Sequence, residues 1–557
     1  SCVRETAMKK MNKRRKERIE RNILRDRHYK VLIYNRFIIT LLLVLLQIVV
    51  YALILVHYYN GFRGVMITID ILALVCVLYI INRNEKPSSK LNWVIMILAA
   101  PVFGVPMYLL FGEGRPTYIM NRKITAGKRV NVKLLSEGDA AQGGRDGETS
   151  RYLSRYAGYP AFREGGVTYY PSGKEMFADM LAALDGAEKF ILAEYFIIAG
   201  GVMWDEFRER LLKKAREGVK VLVIYDDVGS LFVLPPKYDK YLEYLHPNIR
   251  CFRFNPAVPV FTMRMNNRDH RKILVVAGKA AFTGGINLAD EYIDAKRRFG
   301  YWKDTGVRIT GPAVHSFTVM FFNLWNAFRK DKEDVSKFLP APEKGGETAS
   351  SAASEEGGEK AEEIPSEEKC GGQGSGELLI HPYDDSPLDK ESVGETVYLD
   401  IINRASDYVY IFTPYLILDD FMRAAICNAA KRGVDVRIVT PGIPDKKTVF
   451  RLTRSNYGPL LRAGVKIYEY TPGFIHAKSM VSDDKCAVVG SINLDYRSLY
   501  LHFENAVYFS GCDAVKAVKE DGERTFADCK CISLDDTRQS FFGRLVDAVL
   551  RVFETLV

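Results

Sequence analysis

DHRKILVVAG at residues 269–278 and IHAKSMVSDD at residues 475–484 share one pattern: His, one residue, Lys, then a short apolar run. What surrounds them is also repeated. ILAEYFI, WDEFRERLLKKAREG and VKVLVIYD precede the first stretch. VYIFTPYLI, DDFMRAAICNAAKRG and VDVRIVTPG precede the second in the same order. YLEYLHPNIRCFRFNP is answered by YGPLLRAGVKIYEYTP before each His/Lys stretch arrives. Short apolar runs alternate with amphipathic helical patterns that end at a glycine, which marks βαβ units. The register of the two series points to an internal duplication. The expected fold is α/β: two pseudo-symmetric βαβ sandwich halves, at 150–333 and 378–557, with largely parallel buried strands.

The chemistry follows from spacing. Side chains two apart on a strand share a face, so His476 stands beside Lys478, as His270 stands beside Lys272. Each apolar run is followed by small residues and an amide: Gly284, Gly285 and Asn287 in the first half, Gly490, Ser491 and Asn493 in the second. Imidazole, ammonium and amide converging on one point suit a phosphate oxyanion. Two such elements in a duplicated fold predict one shared site. Two histidines also suit a two-step reaction. One attacks phosphorus to give a phosphohistidine, while the other protonates the leaving alcohol and then deprotonates the incoming one.

These paired motifs resemble the H-x-K-x-x-x-x-D signature of the phospholipase D superfamily, and within it the bacterial cardiolipin synthases. SINLDYRSLYLHFENAV, FTGGINLADEY, YWKDTGVRITGPAV and the N-terminal PVFGVPMYLLFG carry the likeness further. It covers about residues 65–333 and 378–557. The resemblance implies phospholipase D-like halves behind an N-terminal transmembrane helical region. It implies His270 and His476 as nucleophile and acid/base, with His270 favoured as nucleophile. Lys272, Lys478, Asn287 and Asn493, with Ser491 and Gly285, would bind the phosphate, and Asp304 and Glu504 would orient the imidazoles. It also implies the reaction: two phosphatidylglycerol molecules giving cardiolipin and glycerol through a phosphatidyl-histidine. One phosphodiester replaces another, so no cofactor is implied, and neither half has a Gly-rich nucleotide loop. No metal is implied; His28, His57, His246, His315, His381 and His502 read as lone structural histidines.

Two positions depart from the signature. Ala277 stands where the motif has its Asp, while Asp483 keeps it, and Asp269 precedes His270 where relatives often carry a neutral amide. The motif Asp lies five residues beyond the Lys, roughly 16 Å along a strand at about 3.3 Å per residue. At that distance it does not reach the phosphorus, so its expected job is to tie down the turn before the next strand. Ala277 is expected to cost stability or positioning; the competing reading is a degenerate first half with lower activity.

The net charge of +10 over 557 residues looks like a polynucleotide signal until it is mapped. Residues 1–30 hold 12 Lys/Arg against 4 Asp/Glu, leaving a nearly neutral remainder and no broad basic face for nucleic acid. Ser1 is not expected to be the native start, which Met8 would supply. The basic leader 1–30 is expected in the cytosol. It is followed by a membrane region at 31–112 with spans near 37–56, 65–81 and 93–111; the last is interrupted by Pro101, Gly104 and Pro106 and so could be re-entrant. The expected location is the bacterial cell membrane, multi-pass, with a phospholipid substrate and the bilayer as partners. Residues 334–377, acidic and poor in apolar side chains, read as a disordered insert. The nine cysteines lack paired spacing apart from Cys529 and Cys531, and suit a reducing compartment. A hydrolytic phospholipase D would use the same residues, with water resolving the intermediate. A nuclease fits the apolar spans poorly, and a non-catalytic scaffold would have no need of both His/Lys pairs. Oligomeric state, the second lipid substrate and the membrane face of catalysis are not legible.

Overall fold

The computed structural model describes residue 49 and residues 63–83, 87–109, 115–135, 145–256, 266–340, 377–389 and 391–552. The expected basic leader, all of the 37–56 span but Val49 and residues 341–376 of the acidic insert lie outside them; at the insert's expected start, Val335 and Phe338 are instead packed into the core.

The first half forms a seven-stranded sheet from β1 (Gly166–Tyr170), β2 (Phe190–Tyr195), β3 (Lys220–Asp226), β4 (Ile249–Phe254), β6 (Lys272–Val276), β7 (Ala280–Gly284) and β9 (Gly306–Thr310), in the order β1-β9-β7-β6-β2-β3-β4. In the second half β10 (Leu379–Asp385), β11 (Tyr408–Phe412), β12 (Asp435–Pro441), β13 (Lys466–Tyr470), β15 (Ser479–Ser482), β16 (Cys486–Gly490), β17 (His502–Ser510) and β18 (Cys529–Ile532) run β10-β17-β16-β15-β11-β12-β13-β18. Strand for strand the orders coincide, with β18 added at one edge. The duplication read from the sequence is therefore a duplication of topology.

The sheets are more mixed than expected. β2, β3 and β4 pair in parallel, as do β11, β12 and β13, but β6, β7, β9 and β1 are antiparallel, and so are β15, β16, β17 and β10. The reason is local. Each His/Lys strand returns at once through a three-residue turn, 277–279 or 483–485, and a tight turn joins only antiparallel neighbours. Two consecutive left-handed residues make each turn: Ala277 and Gly278 in one, Asp483 and Asp484 in the other.

Alternation along β6 explains why its residues are all buried. Ile273 and Val275 enter the core between the two sheets, while Leu274 and Val276 enter a second core beneath the helices Gly173–Asp185 and Val202–Arg216. Fully burying a side chain of this size stabilises by about 1.5–3 kcal/mol. A polar substitution here would undo the sheet.

Two short pairings stitch the halves together. β5 (Arg268–Asp269), just ahead of His270, pairs with the start of β17. β14 (Gly473–Ile475), just ahead of His476, pairs with β8 (Tyr301–Lys303). His270 N donates to Phe503 O at 2.9 Å and His476 N to Lys303 O at 2.7 Å. Each histidine is thereby delivered to the strand of the opposite half.

Before the sheets, helices Arg63–Ile81, Pro87–Ala99 and Pro101–Met107 share a small core of Ile80, Ile97, Val105 and Tyr108. Among the described residues no helix is long and apolar enough to cross a membrane, so the transmembrane region expected from the sequence is not shown. The run 93–111 breaks at Ala100, where Pro101 opens the next helix, and folds back. A Cβ on Gly104 would stand 2.6 Å from the Cα of Ile97, so only glycine permits that approach. Many apolar side chains of this region face outward, including Ile67 at 60% and Ile71 at 59% exposure.

Candidate active site

The crossed strands bring the two His/Lys stretches into one buried site. His270 and His476 are each 7% exposed, and Lys272 and Lys478 are each 1% exposed. His270 Nδ1 lies 2.9 Å from both oxygens of Glu504. His476 Nδ1 lies 2.6 Å from Asp304 Oδ2. The partnership is exchanged: the first half's histidine is held by the second half's carboxylate, and the reverse. With Nδ1 engaged by a carboxylate, Nε2 is the nitrogen of each ring that no carboxylate holds.

Each lysine folds back toward its histidine. Lys272 Nζ donates to the carbonyl of His270 at 2.5 Å, and Lys478 Nζ donates to that of His476. Rings wall the site. Phe196 stands 4.9 Å from the His270 ring, and Tyr292 and Trp302 stand 5.4 and 5.3 Å from His476.

Burial governs the ionisation. Desolvation and then Lys272 and Lys478 hold both imidazoles well below their ordinary values, so each is neutral with a lone pair free. Desolvation also lowers Lys272 to about 7 and Lys478 to about 8, and raises Asp304 to about 7 against the pull of Lys478. A bound phosphodiester anion between the lysines would oppose both effects, keeping the ammonium groups charged and making an imidazole basic enough to carry a proton.

The small residues after each turn support the carboxylates. Ser491 Oγ donates to Glu504 Oε2 at 2.5 Å. At the matching position a Cβ on Gly285 would sit 2.1 Å from Asp304 Oδ1, so glycine leaves that carboxylate its place. Asn287 accepts from Ile197 N at 3.0 Å and donates to Tyr292 OH at 2.7 Å. Asn493 donates to Asp495 and Ser498, both at 3.0 Å, and its amide oxygen is buried without a partner.

Asp483 stands apart from the site. Its carboxylate accepts from the backbone N–H groups of Ser406, Asp407 and Tyr408 at 2.9–3.0 Å, which ties the hairpin turn to the start of β11. By register Ala277 is its counterpart, with φ of +50° against +55°; it donates a backbone bond to Phe190 O and packs its methyl against the second core, with no side-chain acceptor for the turn.

Three features escaped the sequence. His502, read as a lone histidine, lies beside His270 with ring centroids 5.5 Å apart and its Nδ1 3.7 Å from Glu504. One ligand atom from each of His270, His502 and Glu504 falls within 4.8 Å of the others, a group compact enough to hold a metal ion. No local spacing could announce it, because His270 comes from the other half. Asp269 is fully buried against Arg271 at 3.2 Å. Arg271 also pairs with Glu194 at 2.7 Å and with Asp384 on β10 at 3.6 Å. Burial drives the Glu194 carboxyl far up, against the opposing pull of Arg271. Arg268 completes the cluster through Asp226 at 3.4 Å.

A duplicated mixed sheet with two His/Lys pairs exchanging carboxylates across its seam defines a phospholipase D-like protein. A family profile described as "Cardiolipin synthase, PLD-like domain" matches residues 398–525, and one described as "Phospholipase_D-nuclease N-terminal" matches residues 71–113. A cardiolipin synthase from Alkalihalophilus pseudofirmus is 30% identical, over 89% of this chain and 94% of that relative. An uncharacterized protein from Streptococcus mutans is 41% identical, over 86% of this chain and 99% of that one. The crystal structure of phosphatidylserine synthase from Haemophilus influenzae shares the fold, with a TM-score of 0.52 at 14% identity, covering 74% of this chain and 98% of that one. The chain belongs to the cardiolipin synthase family of the phospholipase D superfamily.

Proposed function

We propose that the protein is a phosphatidyl transferase that makes cardiolipin and glycerol from two phosphatidylglycerol molecules. The observation that carries this reading is the pair of neutral, carboxylate-held imidazoles flanked by buried lysines, in a chain whose relatives are named cardiolipin synthases.

Nε2 of His270 attacks phosphorus, and the bond to the headgroup glycerol breaks as His476, protonated, gives its proton to the departing oxygen. The phosphatidyl-histidine is then attacked by the terminal hydroxyl of a second phosphatidylglycerol. His476 takes that proton and the P–N bond breaks, which restores both imidazoles. Lys272 and Lys478 hold the phosphate oxygens, and Asn287 and Asn493 join them when their amides turn from Tyr292, Asp495 and Ser498. Asp304 and Glu504 keep Nδ1 protonated and the rings oriented, while Ser491 and Gly285 support phosphate binding by holding these carboxylates in place. The unpartnered amide oxygen of Asn493 is an acceptor suited to a headgroup hydroxyl. The enzyme works at the bacterial cell membrane as a multi-pass protein. Support for that comes from the apolar run 37–56 and from the outward apolar faces of the helices that follow.

The test is incubation of the purified protein with phosphatidylglycerol alone. Cardiolipin and glycerol in equal amounts support the proposal, and phosphatidic acid as the main product would overturn it in favour of a hydrolase.

A further inference from the structure

The last described helix, Phe541–Val552 (FFGRLVDAVLRV), is turned the wrong way round for a soluble protein. A surface helix ordinarily buries its apolar stripe and presents its polar one. Here polar contacts face the protein. Arg451 donates to Asp547 at 2.5 Å and to the carbonyl of Gly543 at 2.9 Å, and Arg551 donates to the carbonyl of Ser455 at 2.6 Å. Among the described side chains of the helix, Leu550 packs inward, against the cluster of Ile417, Val449 and Leu452. Phe541, Phe542, Leu545 and Val546, spaced at i, i+4 on the opposite face, are 71, 76, 52 and 42% exposed. The fold thus clamps the helix so that its apolar stripe points outward.

Its place in the fold matters. The helix it rests on, Lys447–Ser455, begins directly after Lys446, whose ammonium lies 5.5 Å over the Tyr415 ring; Tyr415 stands 6.3 Å from Phe474, and Phe474 stands 5.9 Å from His476. The outward stripe therefore lies on the element that borders the site.

We propose that Phe541–Val552 is an interfacial helix that lays Phe541, Phe542, Leu545 and Val546 into the headgroup and acyl boundary of an anionic leaflet, seating the site against its lipid. This rests on the reading of the substrate as a phospholipid. Charge and composition favour a lipid surface over a second protein. Arg544 is exposed beside the stripe and Arg538, paired with Asp535, precedes it, while Arg551 is held by Ser455 and the helix's acidic residue, Asp547, by Arg451. Bulky apolar residues on one face with arginines beside them are the composition of an interfacial anchor, and the arginines suit anionic headgroups. The helices of residues 63–107 carry the same kind of outward apolar surface, with Leu74 at 57% and Leu98 at 59% exposure.

The full chain is tested in two ways. The triple substitution Phe541→Ser, Phe542→Ser, Leu545→Ser is assayed on phosphatidylglycerol diluted in phosphatidylcholine vesicles, and on monomeric dihexanoyl phosphatidylglycerol. The expected result is a rise of about tenfold or more in the vesicle surface concentration needed for half-maximal rate, with turnover of the monomeric lipid unchanged. Unchanged vesicle kinetics, or an equal loss on both substrates, would overturn the proposal. Separately, Phe542→Trp in vesicles containing brominated lipid is expected to show quenching beyond that of the parent protein. No added quenching, or disulfide crosslinking between copies through Phe542→Cys, would assign the stripe to something other than lipid. If no form of phosphatidylglycerol is turned over, the proposed function fails, while the quenching still reads the helix.

Discussion

His270 and Glu504 meet at 2.9 Å although 234 residues separate them, and His476 meets Asp304 across 172 residues in the reverse sense. Neither half therefore holds a complete histidine–carboxylate pair. The exchange is enforced by backbone pairing, through β5 on β17 and β14 on β8, so loosening either seam would disturb both histidines.

Glu504→Gln should act through His270 and Asp304→Asn through His476, each by losing the acceptor for Nδ1–H. A fall in kcat of about 10²–10⁴ is expected for each, with folding preserved. Combining Glu504→Gln with His270→Ala should add little to His270→Ala alone, because the carboxylate acts only through that ring. Clearly additive losses in steady-state kinetics would show that the carboxylates act elsewhere.

His270→Ala and His476→Ala should each lower turnover by at least about 10³-fold, since a nucleophile and an acid/base are both required. Near-normal activity in either variant refutes the two-histidine mechanism.

The pH profile of kcat/KM should be a narrow bell. Asp304, raised to about 7, must be ionised to hold His476, so activity is lost as pH falls through that value. Lys272 and Lys478, lowered to about 7 and about 8, must be charged to bind the diester, so activity is lost as pH rises through that window. Lys272→Arg, which stays protonated, should move the alkaline limb upward in whatever activity remains. A flat profile from pH 6 to 9 contradicts the burial argument.

Ala277→Asp should stabilise the protein by about 0.5–2 kcal/mol, because aspartate tolerates a left-handed backbone better than alanine and can cap the amides at the start of β2 as Asp483 caps those at β11. Asp483→Ala should cost about 1–3 kcal/mol. Thermal unfolding reads both, and turnover of Ala277→Asp should not fall.

Which parts of this were open to sequence reading depends on the range of the interaction. The His/Lys pairs, the glycines and the doubled topology follow from strand alternation and repeat spacing, which are local. The turn-tying role of Asp483 follows from strand length alone. The crossing of carboxylates does not, because β5 and β14 are two and three residues long and carry no periodic signal. Asp269 reads only as a departure from the signature and Arg271 carries no signal, yet Asp269 is buried against Arg271, which itself pairs with Glu194 and with Asp384 of the other half. The antiparallel strands stay hidden because βαβ alternation dominates the pattern, while the turns that reverse the chain are only three residues long.

The stereochemical course at phosphorus tests the central claim most directly. Phosphatidylglycerol made chiral at phosphorus with sulfur is converted to product, and its configuration is read by phosphorus NMR. Two successive displacements through a phosphatidyl-histidine predict retention. Inversion would mean a single direct transfer and would contradict the account.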